Sequence, residues 1–262
     1  MVKDGDDESG AADPASPPCL LHELKDDGTP RVDPVQARDV ARWRKAERER
    51  LIAARLALPA AYRAAETLAM TRQLEPLLAS RPGAIVGAYW PIRAEPDLRA
   101  WLHALHGGGV RIALPAALTL GRPLVFREWR PGAPLERGLW NIPWPADGAV
   151  VVPGVVIAPL VGFDRDCYRL GYGGGFFDRT LEVLSPQPLK VAVAFELCRI
   201  PTIHHQPHDI PMDFVVTEAG IHVVEPRMLR RIEAAEASAL ASAMARARGL
   251  PRPQPVPSGP DP

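Results

Sequence analysis

Arg169-Leu170-Gly171-Tyr172-Gly173-Gly174-Gly175-Phe176-Phe177-Asp178-Arg179 puts four glycines into five consecutive positions. Glycine enters positive-φ conformations cheaply and leaves the main chain bare, so such a run lets successive N–H groups converge on one anion. The flanks supply the complement. Arg169 and Arg179 can neutralise phosphate oxygens with forked geometry, and Asp178 offers an oxygen ligand for the magnesium that accompanies a triphosphate. Tyr172, Phe176 and Phe177 can wall a flat heterocycle. A glycine-rich hinge with buried aromatics is the alternative, and the whole constellation favours phosphate binding over it. Neither familiar nucleotide loop fits: a dinucleotide fingerprint needs Gly or Ala where Phe176 stands, and a Walker A loop needs Gly-Lys followed by Ser or Thr.

Around this loop, short apolar runs alternate with helical patterns, the signature of an α/β domain. Strands are expected at 84–89, 110–114, 124–129, 155–161, 191–195 and 214–217, and helices at 34–58, 60–78, 97–105, 176–184 and 226–248. The last helix is expected to bury Met228, Ile232, Ala235, Ala239 and Ala243 and to stop at Gly249 before Pro251. The loop then joins the strand at 155–161 to the helix at 176–184, at the strand's carboxyl end, where open α/β sheets bind ligands and helix N-termini receive anions. The expected fold is a single three-layer α/β/α domain over 35–249, with a mainly parallel or mixed sheet. Residues 1–34, acidic and then Pro-rich, and the Pro-rich 250–262 are expected to be disordered tails.

With 47% hydrophobic residues, 262 residues can bury a sizeable core. The 31 basic and 31 acidic residues cancel, so no global field recommends a nucleic acid or an anionic membrane as partner, and any basic site must be local. Cys19, Cys167 and Cys198 lack CxxC spacing, which argues against a disulfide framework or structural zinc. No basic-then-apolar leader and no membrane-length apolar run is seen, so a cytoplasmic protein, monomeric or weakly oligomeric, is expected.

Three further segments carry candidate chemistry. Arg44, Arg48 and Arg55 fall at i, i+4 and i+11, within roughly 40° of one another around a helix axis. That stripe is either a basic binding surface or a solvated face, since Glu47 and Arg50 charge the same helix elsewhere. Tyr89-Trp90-Pro91-Ile92-Arg93-Ala94-Glu95 leaves a strand and ends on a carboxylate. Glu95 can accept hydrogen bonds from the amino and ring N–H groups of a heterocycle, or it can simply favour the start of the next helix. His204, His205, His208 and Asp209 invite a metal reading, but Pro201, Pro207 and Pro211 oppose the helix that would make the histidines converge; Asp209 alone fits a magnesium-associated carboxylate better.

Together these segments resemble the 5-formyltetrahydrofolate cyclo-ligase family, also called methenyltetrahydrofolate synthetase. The strongest match is Pro159-Leu160-Val161-Gly162-Phe163-Asp164 running into the 169–179 loop. Supporting matches are Arg55-Leu56-Ala57-Leu58, the Trp90 to Glu95 turn, Trp140-Asn141-Ile142-Pro143, and His208-Asp209-Ile210-Pro211-Met212-Asp213 leading to Val216-Thr217-Glu218. The resemblance implies an ATP- and magnesium-dependent conversion of 5-formyltetrahydrofolate to 5,10-methenyltetrahydrofolate. It implies nucleotide binding by Arg44, Lys45 and Arg48 and by Arg169, Leu170, Gly171, Tyr172, Gly173, Gly174, Gly175, Phe176 and Phe177. It further implies folate contacts from Trp90, Glu95, Trp140, Tyr172 and Phe176, magnesium at Asp178 and Asp209, and Arg169 and Asp178 as the catalytic pair. Many relatives place lysine where Gly174 stands, tyrosine is frequent at positions 176 and 177, and glutamine is usual where Cys198 stands. The rival expectations are a paralogue acting on another substrate, an RNA-binding module with its interleaved Arg, Gly and aromatics, and an ATP sensor without turnover.

Overall fold

The computed structural model describes residues 34–80, 83–225 and 228–248. The expected tails, apart from Pro34, together with Cys19, Gly249 and Pro251 fall outside the described residues. The chain divides after Ala41 into an N-terminal unit and a second unit, Arg42–Pro262; apart from residues 34–41, at the start of the first helix, every described residue belongs to the second.

Among the described residues five α-helices are formed: α1 (Pro34–Leu56), α2 (Ala60–Ala79), α3 (Arg99–Gly107), α4 (Phe176–Val183) and α5 (Ala234–Ala247). Twelve strands accompany them: β1 (Val86–Gly87), β2 (Ile112–Ala116), β3 (Val125–Trp129), β4 (Leu135–Arg137), β5 (Pro143–Pro145), β6 (Val155–Pro159), β7 (Gly162–Phe163), β8 (Arg169–Leu170), β9 (Leu189–Val193), β10 (Phe214–Thr217), β11 (Gly220–Glu225) and β12 (Met228–Ile232). Eight of them build one sheet in the order β12-β11-β10-β9-β6-β1-β2-β3. The five inner strands, β10 to β2, run parallel. Antiparallel β3 closes one edge, and antiparallel β11 and β12 close the other. The central strand β6, Val-Val-Ile-Ala-Pro, is buried over its first four residues, as a strand covered on both faces must be.

Both faces are covered, which gives the three layers. On one face α2 (Met70, Leu74, Leu77), α3 (Leu102) and α5 (Ala237, Ala241) pack on Val86, Ile112, Ile157, Val191 and Phe214. On the other, Leu181 of α4 joins Val156, Ala158, Ala192, Phe163 and Val215. A third, smaller cluster fastens α1 through Leu51 to Val161, Leu170, Ile200 and Ile203. Cys167 and Cys198 are buried and free, and burial pushes their thiols up to about 12 and about 11, leaving them inert at neutral pH. No helix among the described residues is long and apolar enough to cross a membrane.

The expected helix over 226–248 is corrected. Met228–Ile232 is the edge strand β12, paired with β11 from Ile221↔Ile232 to Glu225↔Met228, and α5 begins only at Ala234. Ala235, Ala239 and Ala243 are exposed, whereas Ala237 and Ala241 face the core with Leu240 and Met244 beside them. Met-Leu-Arg-Arg-Ile reads equally well with period two, and the unpaired edge of β11 decides between the two periods. The strand expected at 155–161 ends at Pro159, and a hairpin of β7 and β8 (Gly162↔Leu170) intervenes before the glycine loop.

Candidate functional site

All five inner strands point their carboxyl ends to the same side of the sheet. From β1 the chain goes to β2 on one side, while β6 leads to β9 and β10 on the other, so strand order reverses between β1 and β6. That reversal opens a crevice where α/β proteins bind ligands. The segment leaving β1 carries Trp90 to Glu95, and the segment leaving β6 becomes the hairpin and the glycine loop.

Two of the four glycines need to be glycine for conformational reasons: Gly173 has φ 97° and Gly175 φ 61°. Gly175 is also the N-cap of α4, so the loop ends on that helix's free N–H groups. A Cβ at Gly174 would meet the Phe176 ring at 2.9 Å and Trp140 at 3.0 Å. A lysine there would therefore displace one of these rings. Arg179 folds back to donate to the Gly174 carbonyl and lies 5.3 Å over Phe176, so it braces the loop's main chain.

Helix α1 meets the loop directly. Arg48 Nε donates to the Gly171 carbonyl at 2.6 Å. Arg44 grips Asp209 with both terminal nitrogens, at 2.8 and 3.2 Å. Burial works to raise the Asp209 pKa, but the hydrogen bonds from Arg44 and the Gln206 N–H outweigh it and hold the carboxyl below its ordinary range. Arg169, 4% exposed, pairs with Asp178 at 2.8 Å and lies over the Phe177 ring. Asp178 in turn accepts the N–H of Ile210, the neighbour of Asp209, at 3.2 Å. The two arginine–aspartate pairs are thus one connected, charge-neutral unit. Within it, Nε of Arg44 and Nε and Nη2 of Arg169 are buried without a hydrogen-bond partner, Nη2 meeting Asp178 as an ion pair alone.

A second cluster forms where β1 and β6 end. Glu95, 4% exposed, accepts the Tyr172 hydroxyl at 2.7 Å and the Ile92 N–H at 2.9 Å. Burial pushes its carboxyl up to about 7, against the opposing pull of Tyr172, Ile92, Arg55 and Arg93. Arg55 is 1% exposed and donates to Tyr172 Oη at 2.6 Å, to the Leu160 carbonyl at 2.8 Å and to the Arg93 carbonyl at 3.0 Å.

The other expected residues take varied places. Trp140 is 61% exposed, adopts φ 54°, and meets Phe176 edge to face at 5.0 Å, so it stands over the loop as a free aromatic surface. Trp90 is half-buried beneath Arg99. Leu170 is fully buried in the α1 cluster, which restricts any ligand contact to its main chain. Lys45 is exposed, about 100° around the axis from Arg44. His204 and His205 pack against Trp43 and Tyr168, and no group of three or more His, Cys, Asp or Glu among the described residues could hold a metal. The sequence marks Arg55 as the third arginine of the helical stripe and as part of a matching segment, but only the fold reveals it buried at the crevice.

Comparison with known proteins gives one consistent result. The model of the 5-formyltetrahydrofolate cyclo-ligase family matches residues 40–218. The chain is 33% identical over 178 residues to the 5-formyltetrahydrofolate cyclo-ligase of Mycolicibacterium smegmatis, covering 65% of this chain and 91% of that protein. It is 32% identical over 146 residues to that of Escherichia coli K12, covering 52% and 79%. Among solved structures it is similar to the 5,10-methenyltetrahydrofolate synthetase of Aquifex aeolicus, with TM-score 0.61, 26% identity and coverage of 72% and 96%. The Mycoplasma pneumoniae synthetase shares the fold at TM-score 0.56 and 21% identity, covering 67% and 98%.

Proposed function

The chain belongs to the 5-formyltetrahydrofolate cyclo-ligase family and carries its ATP-dependent cyclo-ligase activity, and from that premise we propose how its residues divide the work. The glycine loop and α1 form the nucleotide side. Glu95, Tyr172, Trp90, Trp140 and Phe176 form the side of the reduced folate. The enzyme acts in folate and one-carbon metabolism.

The chemistry asks for positioning rather than a protein nucleophile. An amide-like formyl group is a poor electrophile, so its oxygen attacks the terminal phosphorus of ATP, ADP leaves, and the oxygen becomes part of a phosphate leaving group. Nitrogen-10 then attacks the formyl carbon and loses its proton, the C–O bond breaks, and 5,10-methenyltetrahydrofolate and phosphate result. Bare N–H groups of 171–175 and the N-terminus of α4 would receive the phosphates. Arg44, Arg48 and Arg169 would neutralise them, with Lys45 adding charge from the exposed side of the same helical turn. Glu95 would accept the amino and ring N–H groups of the pterin.

Asp178 and Asp209 would hold magnesium, which when bound supplies positive charge to the phosphates. The residues fit: both are hard oxygen donors, magnesium takes few protein carboxylates beside phosphate and water, and the unbonded Nε atoms of Arg44 and Arg169 are donors that phosphate oxygens would satisfy. The observation that carries this division is the neutral Arg44–Asp209–Asp178–Arg169 unit beside the loop, separate from the Glu95–Tyr172 cluster.

The test is the absorbance of methenyl product. It should rise only when 5-formyltetrahydrofolate, ATP and magnesium are all present. ADP release with a different formylated amine and none with folate would assign the scaffold to another acceptor. Calorimetry that finds no magnesium-nucleotide uptake by folded protein would overturn the nucleotide assignment.

A further inference from the structure

Arg55 is a buried cation with an unusual set of partners. Its guanidinium takes the Arg93 carbonyl from the segment after β1, the Leu160 carbonyl from the segment after β6, and the Tyr172 hydroxyl from the glycine loop. It therefore spans the crevice where strand order reverses and ties three site segments to α1. All three acceptors are uncharged. The nearest counter-charge in this chain of hydrogen bonds is Glu95, one step further on, which accepts from the same Tyr172 hydroxyl. Guanidinium, phenol and carboxylate lie in series, with Arg55 1% exposed and Glu95 4% exposed. A guanidinium stays charged in proteins, and removing one partner of a buried opposite-charge arrangement penalises the charge left behind.

Resting on the assignment of Glu95 as acceptor for the pterin, we propose that Arg55 is a positioning residue for the folate side of the site: through the Tyr172 hydroxyl it fixes the Glu95 carboxylate and compensates its charge. A heterocycle that presents only N–H donors needs that carboxylate ionised, because a protonated carboxyl would oppose one donor with another. The charged and titratable groups around Glu95 come from every neighbouring element: Arg55 from α1, Arg93 from its own turn, Tyr172 from the glycine loop and Tyr89 from the end of β1, with Asp97 acting on Tyr89. Of the two arginines, Arg55 is the one that reaches Glu95 through a hydrogen-bonded relay; Arg93 stacks over the Tyr172 ring at 5.6 Å. Burial already holds Glu95 at about 7, so loss of Arg55 must move it further up and leave it protonated at neutral pH.

The experiment compares wild type, Arg55→Met, Arg55→Lys and Tyr172→Phe. It reads kcat/KM for folate against pH, nucleotide affinity by calorimetry, and Tm. The acid limb of the folate profile should move up by about one unit or more in Arg55→Met, raising the folate KM about tenfold at neutral pH, with partial recovery in alkali. Nucleotide affinity should stay within about threefold, because a residue that acts on the folate side alone leaves nucleotide binding untouched. Arg55→Lys should fall between, keeping the charge but losing the fork. If Arg55→Met does not fold, Tyr172→Phe breaks the relay by one hydroxyl and should move the limb in the same direction. A folded variant with the wild-type acid limb, or one that loses folate and nucleotide binding equally, overturns the proposal. A wild-type enzyme that forms no methenyl product instead overturns the functional reading on which it rests.

Discussion

Glu95 gives the protein a pH dependence of the less common sign. Its carboxyl titrates at 4.5 when unfolded and at about 7 when buried. Between those values the folded state keeps a proton that the unfolded state has released, so stability falls as pH rises through this window. The full effect is roughly 3 kcal/mol above neutral pH. Glu95→Gln lacks this titration, so the unfolding free energy of wild type should decline relative to the variant between pH 5 and 8; parallel curves would sink the assignment of burial as the cause. Arg169 and Asp178 make a second case. Arg169→Ala strands a buried carboxylate and should lower stability by about 3 kcal/mol. Adding Asp178→Asn should recover much of that stability without restoring ATP turnover, and a double-mutant cycle measures both. The chain alone marks these residues as candidates for phosphate and metal. Their pairing with each other was not, because residues 169 and 178 meet through the turn of the loop and residues 44 and 209 through the whole fold.

Elements were readable where two signals agreed. The glycine run followed by Phe176-Phe177-Asp178 predicts a loop opening into a helix, and α4 begins at Phe176. Gly175→Ala would place a Cβ 2.7 Å from Arg179 Nη1 on backbone of φ 61°. The strain, about 1–2 kcal/mol, should lower Tm and raise the ATP KM. Gly171→Ala, free of positive φ and touching only Arg169 Nη1 at 3.0 Å, should do much less; equal losses would argue that main-chain conformation is not what the loop requires. Local period misleads around 228–232 because two periods compete there. Met228–Ile232 has residues that suit a helix or a strand, and five register pairs with β11 outweigh its continuation into α5. Such pairing is invisible to a reading of local period.

The whole molecule extends the family match at its carboxyl end. Residues 40–218 carry the family's pattern, yet β11, β12 and α5 lie beyond it and bury Ile221, Val223, Ile232, Ala237 and Ala241 in the main core. Arg248 fastens the end of α5 to Asp213, at 2.8 Å to each carboxylate oxygen, and to the Pro188 carbonyl. Removal of 226–262, which takes Ile232, Ala237 and Ala241 out of the core and uncovers what they pack against, should therefore destabilise the enzyme by roughly several kcal/mol. Removal of 2–33, which contains none of the proposed site residues, should leave folate turnover within about twofold by the same assay. Activity lost in the second truncation, or stability kept in the first, would reverse these assignments. From its own residues the chain determined the α/β class and the glycine loop that opens into a helix, and it nominated the groups around that loop, since periodicity, glycine runs and charged side chains are local properties. Only the tertiary structure decided which charges neutralise one another, that Arg48 crosses to the loop, and that Arg55 lies over the crevice between β1 and β6, because those contacts join segments whose proximity exists only once the sheet is assembled.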